Sequence, residues 1–490
     1  MSDTVRADSV MIQCQKLRRP SNKYMQYITC VHNGISSILI DVITQVRESI
    51  VARADSTWME HIIATVKERV DARVGEVFED CFVNTISSTI ERYDDGSAFV
   101  LTGDIPAMWL RDSTWQMIPY VHFSGDYPEI AELIGGVLQR QLMYIDMDPY
   151  ANAFNAEPNG AGHHDDLTEM SPWIWERKYE VDSLSAPLFL AGHLWDRTHE
   201  DAHLGGLEKA LETVVDVFAR EQRHETSDYR FERPGAQVAT ETLSHGGKGA
   251  PVGYTGMTWS GFRPSDDANS YGYNVPGNAF AVVVLRTAAR VLEQMNAATG
   301  ATSSPVISRA RDLADQISAG IYEHGVIDHP QWGKVFAYEV DGLGQTLIMD
   351  DANMPSLLSL PYIGFLEADD PIYLNTRAMV LSDTNPFYFN GSRAQGIGSP
   401  HTPHEYIWPI ALAVQALTST SAHEVDQIID TLIHTTGGTG LMHESFHKDD
   451  DALFTREWFS WANAMFCELV LAYCSLTQSN DISRKEASNG

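Results

Sequence analysis

One feature constrains the fold of this chain more than any other: apolar residues recur at three- and four-residue spacing in segment after segment. Such spacing places the apolar side chains on one face of an α-helix. The clearest cases are residues 130–142, 207–218, 306–321 and 425–433. Further helices are predicted at residues 57–91, 184–197, 277–295, 406–418 and 458–475. The pattern therefore predicts an all-α fold.

Strand signals are weak by comparison. Two short stretches, SAFVLTG at 97–103 and KVFAYEV at 334–340, are rich in β-branched and aromatic residues and predict small hairpins. No low-complexity linker divides the chain. We therefore expect a single catalytic domain over residues 51–480, an N-terminal extension of unassigned role over 1–50 and a polar C-terminal tail at 481–490.

The segments between the predicted helices are long and rich in Gly, Pro, Trp, Asp and Asn, as at residues 102–116, 171–184 and 254–278. Loops of this length in a compact domain are usually functional or disordered. Their aromatic content argues against disorder, because disordered segments contain few aromatic residues. A toroid of paired helices that presents ordered loops at one rim accommodates both features.

Charge excludes some classes of partner. The net charge is −32, from 34 basic and 66 acidic side chains. Such a surface repels phosphate backbones and anionic membranes, so we expect neither a nucleic acid nor a membrane as partner. A neutral substrate suits this charge better, and the 11 tryptophans and 19 tyrosines provide flat apolar faces of the kind that line sugar sites.

The cysteines and the N-terminus bear on the compartment. There are five cysteines and no C-x-x-C motif, which is typical of free thiols in a reducing environment. The first 20 residues lack a basic start followed by a long apolar run, so no secretory signal is visible. These features predict a cytoplasmic protein, with secretion as the alternative if the N-terminus is truncated or processed.

The stretch His443-Glu444-Ser445-Phe446-His447 fits the pattern H-E-x-x-H, in which two histidines one helical turn apart bind zinc. The segment GGTG at residues 437–440 lies just upstream, and its glycines disfavour the helix that such a site needs. No third histidine follows at a ligand spacing. A zinc hydrolase is therefore kept as an alternative, and the sequence HHDD at 163–166 is a second candidate metal cluster.

Acidic residues among aromatics and glycines are typical of sites that cleave sugars. Glycosidic cleavage needs one carboxylic acid to protonate the leaving oxygen and a second carboxylate to attack or to activate water. Adjacent like charges raise one pKa, so we expect one member of the pair Asp266 and Asp267 to be held protonated. Each such acid can equally be a helix cap or an arginine partner. The candidates are Asp104, Asp112, Asp182, Asp266, Asp267, Asp350, Asp351 and Glu444.

Several loop blocks occur in one order along the chain: TGDIPAMWLRDS, WERKYEVDSL, TGMTWSGFRPSDDA, MDDANMPSLLSLPY, GIGSPHTP, MHESFH and FTREWFSWAN. In these blocks the chain resembles the exo-α-1,6-mannosidases of glycoside hydrolase family 125 over roughly residues 75–475. The resemblance implies an (α/α)6 toroid with long active-site loops and minor β-hairpins. It also implies that no metal or cofactor is needed. The implied reaction is inverting hydrolysis of terminal non-reducing α-1,6-linked mannose from mannosides or N-glycan-type oligosaccharides.

The resemblance also assigns roles to two residues. The first aspartate of its S-D-D-A block is the general acid, here Asp266, and the glutamate of its M-H-E block is the general base, here Glu444. Glu444 would then act on water and would serve no zinc ion. The two carboxyl groups are expected about 6.5–9.5 Å apart, which leaves room for the water.

Sugar-binding residues are predicted from the same loops. Bidentate hydrogen bonding to vicinal hydroxyls favours Arg111, Asp112, Asp182, Asn278 and His401. Stacking on a sugar ring is assigned to Trp109, Trp173 or Trp259. Two further function classes stay open: another helical-toroid glycosidase or phosphorylase, and a lectin-like binding protein that has lost catalysis. The presence of both carboxylates disfavours the binding protein.

Overall fold

The structure, a computed structural model, describes residues 57–300 and 304–477. The predicted extension, the predicted tail, Cys14 and Cys30 lie outside the described residues. Twelve α-helices of nine residues or more occur within the described ranges. They are α1 (Thr57–Lys67), α2 (Ala72–Thr89), α3 (Leu110–Val121), α4 (Pro128–Met147), α5 (Val181–Thr198), α6 (Leu207–Glu221), α7 (Val275–Thr299), α8 (Pro305–Gly320), α9 (Pro371–Val380), α10 (Pro409–Leu417), α11 (Ala422–His434) and α12 (Ser460–Tyr473).

Local sequence explains where several helices begin. Asp370 accepts hydrogen bonds from the backbone N–H groups of Ile372 and Tyr373 and so caps α9. Asp71 caps α2 in the same way, which divides the predicted helical segment 57–91 into two helices. Proline occupies the first helical position of α4, α8, α9 and α10, where its missing N–H costs nothing.

The helices pack in two sets. α3, α5 and α7 contact one another in succession, α10 packs against α12, and α12 packs back against α3. α4 covers α5, α8 covers α7, α2 covers α12, and α6 lies against α4, α5, α7 and α8. Every residue of α3 is buried, whereas α6 buries one face only. The prediction of a predominantly helical protein is confirmed.

An aromatic cluster joins the inner helices. Trp115 of α3 packs against Phe189 of α5 with ring centroids 5.3 Å apart, and against Phe280 of α7 at 5.8 Å. Tyr362, from the segment between α8 and α9, lies 6.1 Å from the same indole. Each aromatic pair adds about 0.5–1.5 kcal/mol beyond its buried area, so the cluster fixes how these elements sit together.

Helix α7 is unusually apolar. Its stretch Val275–Ala298 is long and apolar enough to cross a membrane, judged by length and composition only. In the structure 78% of an 18-residue window of that stretch is buried inside the protein, against α5 and α8 among others. Most of its apolar side chains are therefore buried in the core of the protein.

The strands are short and form six small sheets of two or three strands within the described residues. Antiparallel pairing of Ile90 with Val100 and of Val326 with Phe336 confirms the two predicted hairpin regions. The strands are β1 (Ile90–Arg92), β2 (Ala98–Val100), β3 (Met108–Trp109), β4 (Ala153–Phe154), β5 (Ile174–Glu176), β6 (Tyr273–Asn274), β7 (Val326–His329), β8 (Gly333–Phe336), β9 (Glu339–Val340), β10 (Thr346–Leu347), β11 (Tyr388–Asn390), β12 (Gln395–Ile397), β13 (Tyr406–Ile407), β14 (Ser445–His447) and β15 (Asp450–Thr455).

Candidate active site

Glu444 stands immediately before β14, in a segment whose backbone is fixed by its neighbours. The N–H of Met442 donates to Oδ1 of Asn463 on α12 at 2.9 Å, which ties the segment to an inner helix. Gly437 has φ of +57°, and a Cβ added there would lie 2.7 Å from the ring of Phe454. Only glycine fits such a position, so the glycines upstream let this chain segment pack closely before Glu444.

The adjacent His443 is not available to a metal. Its Nε2 lies 3.0 Å from the carbonyl oxygen of Thr436, and its Nδ1 lies 3.1 Å from that of Glu457. The ring also stacks on Phe454. His447 is on a β-strand, so the two histidines are not one helical turn apart. The H-E-x-x-H zinc hypothesis is therefore wrong.

The second candidate metal cluster, at residues 163–166, has a different role. Both carboxylate oxygens of Asp166 accept hydrogen bonds from Arg233, at 2.8 and 2.6 Å. Among residues 57–300 and 304–477, no group of three or more His, Cys, Asp or Glu side chains has a metal-binding arrangement. The segment is a loop anchored by an ion pair.

Arg456 holds Glu444 from one side. Its Nη1 lies 3.6 Å from Oε1 of Glu444, and its Nε donates to Oδ1 of Asp104 at 2.8 Å. The guanidinium also lies over the ring of Phe459, 4.6 Å from the centroid. Asp104 is thus an arginine partner, the alternative that its sequence context left open. Sequence reasoning missed Arg456, although it lies inside the block FTREWFSWAN.

Asp266 lies in a tight turn of the long segment between α6 and α7. Its φ is +65°, a left-handed conformation that a non-glycine residue adopts at a cost of order 1–3 kcal/mol. Its N–H donates to the carbonyl of Arg263 at 2.9 Å, and Nζ of Lys178 donates to its carbonyl at 2.8 Å. The carboxylate accepts from Nη2 of Arg111 at 3.1 Å and is 21% exposed.

The guanidinium of Arg111 gathers four carboxyl groups. Besides Asp266, it lies 2.7 Å from Glu180, 3.1 Å from Asp182 and 3.4 Å from Asp112. Burial raises the pKa of Asp112 and of Asp182 to about 6, and the charge of Arg111 only partly opposes this. The structure therefore brings the predicted sugar-binding residues Arg111, Asp112 and Asp182 together with Asp266.

The predicted protonation of Asp266 is wrong for the substrate-free site. Burial by itself would raise the pKa of Asp266, but the cations of Arg111 and Lys178 outweigh burial and hold this pKa below its usual value. Burial would also raise the pKa of Asp267, but His401, whose Nδ1 lies 3.6 Å from its carboxylate, outweighs burial and lowers this pKa. The turn directs the two adjacent carboxylates to different cations, so they do not repel each other as a pair.

His401 links the two halves of the site. Its Nδ1 lies 3.6 Å from Oδ1 of Asp267. The imidazole is 38% exposed. Its partial burial alone would lower its pKa, but Asp267, Glu444 and Asp266 raise it to about 9. Glu444 and Asp266 thus act on one imidazolium although they are distant in sequence. His401, Asp266 and Glu444 therefore lie within electrostatic range of one another.

Two predicted sugar-binding residues are instead structural. Trp259 is 1% exposed, and its indole stacks on His224 at 3.4 Å, so it presents no ring face to a sugar. Asn278 is fully buried; it accepts from the N–H of Thr258 and donates to the carbonyls of Thr258 and Asn274. Each residue fixes the long segment that carries Asp266.

The other predicted residues occupy intermediate positions. Trp109 precedes α3, is 6% exposed and packs with Trp175, while Trp173 is half-buried. Asp350 is fully buried and accepts the N–H groups of Leu357 and Leu358 at 2.8 and 2.9 Å. Burial raises the pKa of Asp350 to about 8. Asp350 therefore stabilises its loop.

The stretch that supplies these residues matches a known family. Residues 71–471 match glycoside hydrolase family 125, described as metal-independent alpha-mannosidases. The chain belongs to this family. The predicted family membership and enzyme class are confirmed: the protein is a family 125 glycoside hydrolase. The description as metal-independent agrees with the geometry of His443, whose ring nitrogens both face backbone carbonyls.

Individual relatives agree with the assignment to family 125. The meiotically up-regulated gene 157 protein of Schizosaccharomyces pombe is 41% identical over 442 residues, which are 85% of each chain. A metal-independent alpha-mannosidase of Streptococcus pneumoniae is 46% identical, with a TM-score of 0.81 over 86% of this chain and 97% of that one. That structure is a non-productive complex with alpha-1,6-mannobiose.

The fold of this family 125 enzyme extends to distant enzymes. A bacterial glucoamylase complexed with acarbose has a TM-score of 0.56 and 13% identity, over 82% of this chain and 56% of that one. At such identity the likeness concerns the fold alone.

Proposed function

We propose that the protein is an inverting, exo-acting α-1,6-mannosidase in which Asp266 is the general acid and Glu444 the general base. Its substrates are mannosides or N-glycan-type oligosaccharides that end in a non-reducing α-1,6-linked mannose. The observation that carries the proposal is that each carboxyl group lies beside its own arginine, Asp266 at 3.1 Å from Arg111 and Glu444 at 3.6 Å from Arg456, while both act electrostatically on His401. The α-1,6 linkage is supported by the mannobiose bound to the 46% identical relative.

The scaffold for this activity is a single (α/α)6 toroid. The inner set α3, α5, α7, α10 and α12 supplies five elements, and α12 returns to α3 as a closed ring requires. The sixth inner element is the run of helical turns at residues 356–365, where the N–H of Ile363 donates to the carbonyl of Ser359. Tyr362 of this run packs on Trp115 of α3, which supports its inner position.

The chemistry follows from the two carboxyl groups. Asp266, once protonated, gives its proton to the glycosidic oxygen while the bond from that oxygen to the anomeric carbon breaks. Glu444 takes a proton from a water molecule that attacks the anomeric carbon from the opposite face, which inverts its configuration. The separation of the two carboxyl groups should be about 6.5–9.5 Å, because the water must fit between Glu444 and the sugar.

Recognition of the terminal mannose falls to the charged groups around Arg111. Asp112 and Asp182 offer carboxylate oxygens for vicinal hydroxyls, and His401 offers an imidazolium N–H. Buried groups of this kind discriminate strongly, because a sugar that lacks the matching hydroxyl leaves them unpaired. Of the predicted stacking residues, Trp173 is the half-buried one and is the candidate for the sugar face.

A linkage panel tests the proposal. The enzyme is incubated with α-1,2-, α-1,3- and α-1,6-mannobiose, with and without a chelator, and released mannose is measured. We expect hydrolysis of the α-1,6 disaccharide alone, unchanged by the chelator. Hydrolysis of another linkage, release of mannose 1-phosphate only when phosphate is present, or binding without turnover would each contradict the proposal.

A further inference from the structure

Asp266 belongs to a buried network with more acids than cations. Arg111 contacts Asp112, Glu180, Asp182 and Asp266; Lys178 contacts Glu176; and Arg233 contacts both Glu176 and Asp166. Six carboxyl groups thus face three cations, an excess of three negative charges if all were ionised. Uncompensated buried charge is expensive, so part of the network must hold protons.

Two more cations influence the network without balancing it. Arg456 acts on Asp112, and His401 acts on Asp266. Each has carboxylates of its own, because Arg456 contacts Asp104 and Glu444 while His401 contacts Asp267. The excess of negative charge around Arg111 therefore remains.

The contacts of Glu180 identify where one proton resides. Its side chain is 0% exposed, and its Oε2 accepts from Nη1 of Arg111 at 2.7 Å and from Oγ of Ser183 at 2.8 Å. Asp266 lies beside it, because Nη1 of Arg111 donates to Glu180 and Nη2 to Asp266, and Nδ2 of Asn152 lies within 3.4 Å of both carboxyl groups. Two neighbouring buried carboxyl groups that share their donors avoid mutual repulsion when one of them carries a proton.

Glu180 is the group that carries it, because its side chain is 0% exposed while that of Asp266 is 21% exposed, and burial disfavours the charged form. Burial raises the pKa of Glu180 well above its usual value, with Arg111 opposing and the charges of Asp266 and Asp182 adding to the rise. The pKa of Asp266 moves the opposite way despite its own burial, because Arg111 and Lys178 favour its ionised form. In the substrate-free site, Glu180 is therefore the protonated member of the pair and Asp266 the ionised one.

We propose that Glu180 is the proton-holding partner of Asp266, keeping the proton of the acid in the empty site and passing it to Asp266 for the cleavage step. This inference rests on the proposed function. Asp266 is 21% exposed and can reach a substrate, whereas Glu180 is 0% exposed and acts only through Asp266. Glu180 is thus a positioning residue for the proton.

Two side chains contact both carboxyl groups of the pair, Glu180 and Asp266. Nδ2 of Asn152 lies 3.3 Å from Oε1 of Glu180 and 3.4 Å from Oδ1 of Asp266. Nη1 and Nη2 of Arg111 contact the same two carboxyl groups. The groups facing Glu180 are therefore Arg111, Asn152, Ser183 and Asp266, with Asp182 adding its charge.

The steps balance. The O–H bond of Glu180 breaks as an O–H bond forms on Asp266, and the charge left on Glu180 faces Arg111. The proton then passes from Asp266 to the glycosidic oxygen, which takes the electron pair of its bond to the anomeric carbon. Water bonds to that carbon and gives a proton to Glu444. After product release, Glu444 loses its proton to solvent and the carboxyl pair regains one from solvent.

The test uses substrates that differ in their need for an acid. α-1,6-Mannobiose has a poor leaving group that must be protonated, whereas fluoride leaves α-mannosyl fluoride with little help. Glu180→Gln keeps size and a hydrogen-bond donor but has no proton to transfer. We expect kcat/KM on the disaccharide to fall about 100- to 10,000-fold with most activity on the fluoride retained. Retained fluoride activity also proves that the variant is folded.

The pH profile provides a second readout. Without Glu180, Asp266 must take its proton from solvent, and its lowered pKa allows this only at acidic pH. The alkaline limb of kcat on the disaccharide should therefore move to lower pH in Glu180→Gln. Glu180→Asp keeps a transferable proton at a shorter reach and should recover part of kcat and of the original profile.

The matched control is Glu221→Gln, the same change at a buried carboxyl group bonded to Tyr150, Ser227 and His224. It should not alter the ratio of the two activities. Equal loss on both substrates by Glu180→Gln, or full activity on the disaccharide, would overturn the role of Glu180. Full activity of Asp266→Asn on the disaccharide would instead overturn the proposed acid, so the two failures are distinguishable.

Discussion

Nη1 of Arg456 lies 3.6 Å from Oε1 of Glu444, while Nε of the same guanidinium donates to Oδ1 of Asp104 at 2.8 Å. Asp104 precedes β3 and Glu444 precedes β14, so the side chain of Arg456 contacts two loops that are far apart in sequence. Arg456 has φ of +41°, a strained conformation for a residue with a side chain. Such strain is typical of functional sites, and here it aims the guanidinium at the proposed base.

Removal of this guanidinium should impair the base. We expect Arg456→Ala to lower kcat by about 10- to 100-fold with a smaller effect on KM, because Glu444 loses its orienting partner. Arg456→Lys should recover part of kcat, since the charge remains. Steady-state kinetics on α-1,6-mannobiose measure both constants. Arg393→Ala, which removes a partly exposed partner of Asp451, is the control and should leave kcat unchanged. An unchanged kcat in Arg456→Ala would refute the role.

Loss of either carboxyl group should abolish turnover without unfolding the protein. For Asp266→Asn and Glu444→Gln we expect kcat to fall by about 100- to 10,000-fold, because general acid and base steps each contribute that much. Thermal unfolding checks the fold, and released mannose measures turnover. Near-native hydrolysis by Glu444→Gln would mean that another group activates the water.

His401 should titrate far above an ordinary histidine. Its pKa, raised from 6.5 to about 9 mainly by Asp267 against the effect of burial, should fall when Asp267→Asn removes the partner charge. Histidine proton chemical shifts measured against pH, with His401→Asn to assign the signal, give both values. A His401 pKa that is the same in the two proteins would contradict the pairing.

The same ion pair fixes a pH window of stability. The contribution of His401 is fully present below pH 6.5 and is lost as pH rises through about 9. Asp267 has a lowered pKa, so its contribution is fully present above pH 3.8 and is lost as pH falls through its native pKa. The stability difference between wild type and Asp267→Asn should thus be largest between these limits and shrink above pH 9. A constant difference would count against the pair.

Asn278 should matter for stability. Asn278→Ala removes three hydrogen bonds and leaves buried backbone groups of Thr258 unpaired, so we expect the free energy of unfolding to fall by about 3 kcal/mol. Denaturant unfolding gives this value. Asn375→Ala, which removes one exposed bond to Lys334, should cost about 0.5 kcal/mol or less. A selective rise in KM with unchanged stability would restore Asn278 as a sugar-binding residue.

The sequence predicts helices well where one face is polar. α6, α8 and α11 have clear apolar stripes and lie where periodicity predicts them. α3 escapes prediction because all its residues are buried, so it has no polar face, and it contains Pro119. The predicted helix 406–418 begins only at Pro409, since Tyr406 and Ile407 pair with β14.

The sequence nominates the candidate residues of the site, but it does not predict their protonation states. The blocks around Asp266 and Glu444 single them out as the proposed acid and base, whereas the burial of Trp259 and Asn278 is not visible in the sequence. The expectation that Asp266 is protonated fails because adjacency in sequence does not determine where a side chain points. The carboxylate of Asp266 lies against Arg111. The contacts of Glu180 and Arg456 join distant segments, so no local pattern encodes them.

The anomeric form of the first product tests the central claim most directly. α-1,6-Mannobiose is hydrolysed in the NMR tube, and the anomeric proton signals are followed before mutarotation equilibrates the sugar. We expect β-mannose first, with α-mannose appearing later, because Glu444 directs water to the face opposite the leaving group. Release of α-mannose first would mean a retaining route, and the assignment of Asp266 and Glu444 as an inverting pair would fail.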